Sequence, residues 1–472
     1  MDGSEVDAFC APHWNDSLRL HTLDDSVRDH RELAKHPELL VPVGIGDGGG
    51  GVTTQICERA RRIANQAGIS RCRWSTARRY FEGLAAVRDR LPVYQDELYL
   101  ELHHPLALVE LEPLETVKLA RGRADAQGHG SVSTSVEAIA SDRVQASFDS
   151  RAGLSRLVVD GRDLRLTAPA ALKLYVDRPP FHDAWDIDSA VFDHEVPLAA
   201  PAQASIVENG PLRGRLRATQ QIGEAATATI DYIVDIVQPW LQIEVAVDWQ
   251  ESHRLLKYVV STNRLGKMAR FGMPLGSILR SRLPGGAEDE AKWETPMNRW
   301  LAVCDDAGEG IALVTEASCG VSVRNGEIGL SLLRSPTDPD PDADRGTHVL
   351  RLALGKFSAR TDSDGAAAAA DRLYTPPLRL DSGRPTRAPF WEEHLGTLLP
   401  SWAEPLAGGM LIRAHETAGA TGRAVLHLKE KPRNIQRVDF LGRETGEISP
   451  ADEGGYLVTA TPYQIISIRI LW

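Results

Sequence analysis

The sequence predicts a mainly β protein of stacked antiparallel sheets, preceded by a small α/β segment. Three observations carry this reading. From about residue 105 onward apolar residues alternate with period two, β-branched residues become more frequent, and Gly or Pro interrupts roughly every ten residues. Ahead of that region, a glycine cluster at 44–51 joins a short apolar run to a stretch with helical spacing. The composition, 42% hydrophobic and 25% charged over 472 residues, is that of an ordinary globular protein with ample chain for a core.

Taken in order, residues 39–43 (LLVPV) read as a short strand entering the glycines. Residues 53–68 place apolar side chains at helical spacing until Gly68 ends the run, and 69–74 read as the next strand. This βαβ-like unit assigns 1–75 to an α/β domain. Ser75 and Thr76 offer an N-cap for a helix over 77–90, with Phe81, Leu84 and Val87 on one face and Pro92 beyond its end. With an alternating strand at 98–102 (LYLEL), it makes a second segment, 76–104. Residues 105–395 form the main sheet domain. Its clearest part is 228–247, two strands with a turn at Gln238 and Pro239. The stretch 358–387, holding five alanines at 366–370, is poor in large apolar residues and reads as a linker or long loop. A last β unit occupies 396–472, its clearest strands beginning at Leu411.

A net charge of -12 with pI near 5.7 argues against nucleic acid or an anionic membrane as partner, since both select basic faces. The N-terminus lacks the charged-then-apolar order of a signal peptide, and no apolar run of about 18 residues occurs. A soluble, cytoplasmic protein is expected. Five scattered cysteines without C-x-x-C spacing oppose both a disulfide framework and a zinc ribbon.

Several patterns are candidates for chemistry. Gly44-x-Gly46-x-x-Gly49 formally matches the dinucleotide fingerprint, but no acidic residue follows at the end of the next strand to hold a ribose, and no Gly-Lys-Ser/Thr follows to make a P-loop. The acidic run behind the strand ending at Arg334 sets Asp338, Asp340, Asp342 and Asp344 at alternate positions. A calcium loop would need a Glu at the twelfth position, where Val349 or Arg351 stands, so a solvated turn is the better reading. His103 and His104 are adjacent, face opposite sides of a strand and cannot chelate one ion together. No G-x-S-x-G turn supports a serine nucleophile.

Three separated stretches carry a resemblance, in one order along the chain: LLVPVGIGDGGGGVT (39–53), DRPPFHDAWDID (177–188) and SLLRSPTDPDPDADRG (331–346). WQESHRLLK (249–257), LIRAHE (411–416) and the closing YQIISIRIL add weaker matches. Together they resemble glycoside hydrolase family 38, the metal-dependent α-mannosidases. The resemblance implies a galactose-mutarotase-like β-supersandwich and a retaining reaction on terminal α-mannosides, which requires two carboxylates about 5–5.5 Å apart. It implies that Asp47 is a remnant acid/base, and that Trp185, Asp186 and Arg334 bind substrate. The bland reading of Trp185 is core packing, and that of Arg334 is a salt bridge with the acidic loop behind it.

The family's divalent cation, usually zinc, sits on a His-x-Asp pair, the nucleophile and a distant His. No His-x-Asp occurs in this sequence, and His182 belongs to the DRPPFHDAWDID segment rather than to that distant position. No metal ligand and no cofactor are therefore expected in this chain. The resemblance thus implies the β-rich half of such an enzyme, with shortened catalytic and middle domains and impaired or no activity. Expected partners are mannosides, with homo-oligomers or a chain carrying the missing catalytic part as protein partners. The alternative is a non-catalytic carbohydrate-binding β-sandwich.

Overall fold

A computed structural model describes residues 6–93, without 10, 12–16, 31–33, 46–49, 65 and 67–69, and residues 131–472, without 182, 199–202, 265, 284, 360–364, 375–389, 394–396, 429 and 452–453. It divides into two compact units, residues 3–98 and residues 99–472.

In the first unit the helices form where capping and spacing agree. Helix Thr54–Ile63 starts at Thr53, whose side chain accepts from the Ile56 amide at 3.2 Å, and it buries Ile56 and Ile63 against Leu18, Leu23, Val41 and Val43. Helix Ala77–Ala85 starts at Thr76 in the same way and buries Tyr80 and Leu84. Tyr80 packs edge-on to His36, at 5.3 Å between ring centres. A further helix, Leu20–Asp29, has no counterpart in the sequence reading. The strands expected at 39–43 and 69–74 are corrected. The described residues of both runs form no strand: Val43 makes an isolated bridge, and Ile45 and Gly50 pair with each other across the glycines. A short apolar run becomes a strand only where successive residues pair with a neighbouring edge, and the first of these runs pairs at Val43 alone among the described residues. The strand expected at 98–102 lies outside the described residues.

The second unit is built from antiparallel sheets, as expected. A nine-stranded sheet runs in the order Gly276–Ser281, Met268–Met273, Trp300–Cys304, Glu309–Thr315, Gly346–Ser358, Trp240–Trp249, Ala226–Asp235, Arg213–Ile222, Gln203–Asn209. A six-stranded sheet runs Thr295–Pro296, Gly320–Arg324, Glu327–Arg334, Arg254–Ser261, Ala171–Val176, Glu195–Val196. Five short strands from Ser133–Thr134 to Arg162–Asp163 make a third sheet. All three sheets contribute to one core. Period-two alternation explains this: Ala228, Ile230, Tyr232 and Val234 point inward from one strand, Leu241, Ile243, Val245, Val247 and Trp249 from the next, and Leu256, Tyr258 and Val260 from the six-stranded sheet.

The outward side of the nine-stranded sheet is not uniform. Part of it carries Arg217, Asp231, Arg215, Glu244 and Arg351 in alternating charge. Part is apolar and covered by helix Ala366–Tyr374, whose Ala366, Ala369 and Ala370 pack against Trp240, Trp300 and Phe357. This corrects the linker reading of 358–387 over 366–374, while 360–364 and 375–387 lie outside the described residues. Alanine has the highest helix propensity and lets a helix axis approach a sheet closely, so a run without large apolar residues is still a packing element.

Residues 390–472 add a three-stranded sheet and a five-stranded sheet around a core of Leu398, Ile412, Ala424, Leu426, Val458 and Ile468. They dock on the edge hairpin of the nine-stranded sheet. Arg270 donates to the Ala418 carbonyl at 2.7 Å and Ser277 to the Thr417 carbonyl at 2.8 Å. The docking turn is held by Glu416, fully buried, whose carboxylate accepts from the amides of Ala418, Gly419 and Tyr463. Gly419 has φ +73°, and a Cβ there would stand 2.7 Å from the Tyr463 ring, so this position requires glycine twice over.

Candidate functional site

Three strand ends of the six-stranded sheet converge at one place. Strand Ala171–Val176 ends at Asp177, whose amide donates to the His253 carbonyl at 2.9 Å. The His253 amide in turn donates to the Ser335 carbonyl at 2.8 Å, next to Arg334 at the end of strand Glu327–Arg334. The backbone ladder therefore sets the side chains of Asp177 and Arg334 against each other.

Arg334 is buried, and its Nε donates to Asp177 Oδ2 at 2.6 Å. The rest of the guanidinium holds a loop. Its Nη2 donates to the carbonyls of Asp183 at 3.1 Å and Asp186 at 2.5 Å, and Nη1 to that of Ala184 at 3.4 Å. Asp183 fastens the loop from its other side, accepting from the Thr337 amide at 2.5 Å and from its hydroxyl at 3.2 Å. The Thr337 hydroxyl also lies 3.4 Å from His253 Nε2. Beyond the loop, Trp293 donates to the Ile187 carbonyl, and the Asp188 side chain accepts from the Ala190 amide to start the 3-10 helix Ser189–Asp193. The segment is thus pinned along its length, while the Trp185 side chain is 45% exposed at its middle. Burial pushes the Asp177 carboxyl up and outweighs the opposing pull of the Arg334 guanidinium, with the Asp183 charge adding a smaller push in the same direction.

Arg334 does form a salt bridge, but with Asp177 rather than with the acidic loop at 338–344 expected to satisfy it. That loop makes its own exposed turn, with Arg345 paired to Asp342. Trp185, Asp186 and Arg334 are brought together, Arg334 bonding the Asp186 carbonyl. Asp47 and His182 lie outside the described residues. The sequence reading did not find Asp177, His253 and Thr337 as the loop's anchors. The one signal for Asp177 was a charge placed directly behind an apolar strand, opposite an arginine placed in the same way. A few residues further along the same outer face, Lys257 donates to Glu294 at 2.5 Å and to Ser331 at 2.9 Å, all three side chains buried. Among the described residues no group of three or more His, Cys, Asp or Glu side chains is arranged to hold a metal ion. The described residues thus do not fit a divalent cation.

Residues 6–97 match the family model for the glycosyl hydrolases family 38 N-terminal domain, and residues 139–342 match that for the family 38 C-terminal domain. The chain belongs to glycosyl hydrolase family 38. Both strands whose ends build the Asp177–Arg334 pair lie inside the second match. Among relatives of this family 38 chain, Alpha-mannosidase 2C1 of Homo sapiens is 27% identical over 309 residues, covering 63% of this chain and 30% of that protein. Alpha-mannosidase G of Dictyostelium discoideum is 33% identical over 190 residues, covering 39% and 17%. The chain spans about a third of the length of the curated relatives it matches over most of its own length. An α-mannosidase structure from Enterococcus faecalis V583 superposes with a TM-score of 0.58 at 11% identity, covering 72% of this chain and 43% of that one, which is a likeness of fold. Among the described residues no helix is long and apolar enough to cross a membrane.

Proposed function

We propose that this family 38 chain is the sugar-facing β-rich part of an α-mannosidase-type glycoside hydrolase, serving retaining hydrolysis of terminal α-mannosides. A polypeptide of residues 1–472 by itself binds mannosides and turns them over poorly or not at all. The observation that carries the reading is the loop 183–188, clamped by the buried Arg334 and Asp177 pair so that Trp185 is presented to solvent. An indole ring held open to solvent offers a flat apolar surface to the C–H face of a sugar, and the Asp186 carboxylate beside it accepts from hydroxyls. In this reading Arg334 acts on the sugar through the loop and is a positioning residue. Poor turnover follows from the chemistry. The retaining route needs an attacking carboxylate and an acid/base as a close pair, and the sequence holds Asp47 for one of these roles and no His-x-Asp pair for a metal. The described cysteines are all free thiols, which suits a reducing compartment, and we place the protein in the cytoplasm.

Calorimetric titration with methyl α-mannoside, alongside release from an aryl α-mannoside with and without added divalent metal, tests both parts. Saturable binding that Trp185→Ala weakens about tenfold or more, with little turnover, is expected. Robust metal-dependent turnover by residues 1–472 overturns the catalytic part, and absence of saturable binding overturns the sugar-facing part. The alternative, a non-catalytic carbohydrate-binding scaffold, gains if a chain or segment supplying the missing carboxylate never restores turnover to the mannoside-binding protein.

A further inference from the structure

We infer that the outer face of the C-terminal five-stranded sheet is a second carbohydrate-binding surface, centred on Arg413 between Trp402 and Phe440. The arrangement follows from sheet register. Strand Leu398–Leu406 is an edge strand, and a bulge between Pro400 and Trp402 sets Trp402 directly opposite Arg413 of strand Gly409–Glu416. The Arg413 guanidinium carbon lies 4.7 Å from the Trp402 ring centre and 5.2 Å from that of Phe440. The rings remain 47% and 61% exposed.

Phe440 is held in place by its hairpin. The Asp439 carboxylate accepts from the amides of Leu441 and Arg443, both at 2.8 Å, and the Asp439 amide donates to the Arg443 carbonyl at 2.8 Å. Arg469 ties this hairpin to the sheet, donating to the Gly442 carbonyl, to Gln436 Oε1 and to Glu444. An exposed aromatic on a turn so constrained loses little conformational entropy when it is covered.

The face selects its occupant by chemistry. Among the described residues no carboxylate pairs with Arg413, and its Nε has no hydrogen-bond partner, so the guanidinium complements a ligand rich in oxygen acceptors. The rings flanking it complement flat C–H surface, and Gln436 and Glu444 border it with further polar groups. Aromatic rings beside an arginine also occur in protein interfaces, and Leu441 next to Phe440 is 73% exposed, so a second copy of the chain is the occupant the experiment sets against an oligosaccharide. A neutral oligosaccharide offers hydroxyl oxygens and C–H faces alternately along its length and matches this pattern.

The inference shares with the proposed function only the premise that the chain handles glycans, and the experiment separates the two. Titration of the whole chain with a short α-linked mannose oligosaccharide is compared among wild type, Trp402→Ala, Phe440→Ala and Trp185→Ala, with thermal unfolding as a check on folding. Two classes of site are expected in the wild type. Trp402→Ala and Phe440→Ala each weaken one class about tenfold and leave the class lost in Trp185→Ala intact. Unchanged binding in both C-terminal variants overturns this inference whatever Trp185→Ala does, and binding lost only in those two overturns the Trp185 reading instead. A shift in sedimentation on Trp402→Ala without change in sugar affinity assigns the face to a second copy of the chain and also overturns the inference.

Discussion

The Arg334 guanidinium donates to Asp177 at 2.6 Å between two strand ends that flank strand Arg254–Ser261, and the same guanidinium bonds the Asp186 carbonyl of the loop that presents Trp185. One buried cation therefore joins the sheet to the candidate sugar-binding loop. Arg334→Met leaves Asp177 buried without its partner and removes the donors to three loop carbonyls, a loss of about 3–5 kcal/mol. Adding Asp177→Leu recovers part of that loss, because no buried charge is then left uncompensated. Denaturant unfolding of the two single variants and the double variant measures the coupling. Single-variant costs below about 1 kcal/mol are the result that removes this pair from its role as a clamp.

Asp231 lies between Arg215 and Arg217 on the outward side of the nine-stranded sheet, each Nε 2.8 Å from one of its carboxylate oxygens. Burial pushes the Asp231 carboxyl up, but the hydrogen bonds from Arg217 and Arg215 outweigh it and hold the group below its ordinary range. A folded value below the unfolded one means that the contribution to stability is complete above the ordinary carboxylate range and is lost as pH falls through the lowered value. Thermal unfolding scans from neutral pH downward are expected to show a shallower acid-side fall in Asp231→Asn than in the wild type, from a lower starting Tm. Parallel acid limbs in the two proteins exclude Asp231 as a source of acid sensitivity.

Helix Ala366–Tyr374 fixes how much volume the outer sheet face tolerates. Ala369 is fully buried in the cluster with Trp240, Trp300 and Val314, so Ala369→Leu overfills the contact and costs about 1–3 kcal/mol. Arg372→Ala on the exposed side is expected to stay within about 0.5 kcal/mol of the wild type. Equal small effects at both positions indicate that the helix is not packed on the sheet.

The amino-acid sequence by itself determined the β architecture and its family, because both are written locally. Period two in 228–247 forces one face inward whatever the partner strand is, Thr53 and Thr76 cap the helices that follow them, and the DRPPFHDAWDID and LLRSP stretches are contiguous. Only the tertiary structure decided what depends on pairing across distance. Arg334 and Asp177 are 157 positions apart, and their contact exists because both strands pair with Arg254–Ser261 between them and end at the same edge of the sheet. The five alanines at 366–370 form a helix that packs on Trp240 and Trp300, which no local pattern indicates. The runs at 39–43 and 69–74 have strand-like composition but form no strand in their described residues, since a strand is completed by hydrogen bonds to a neighbour and not by its own side chains.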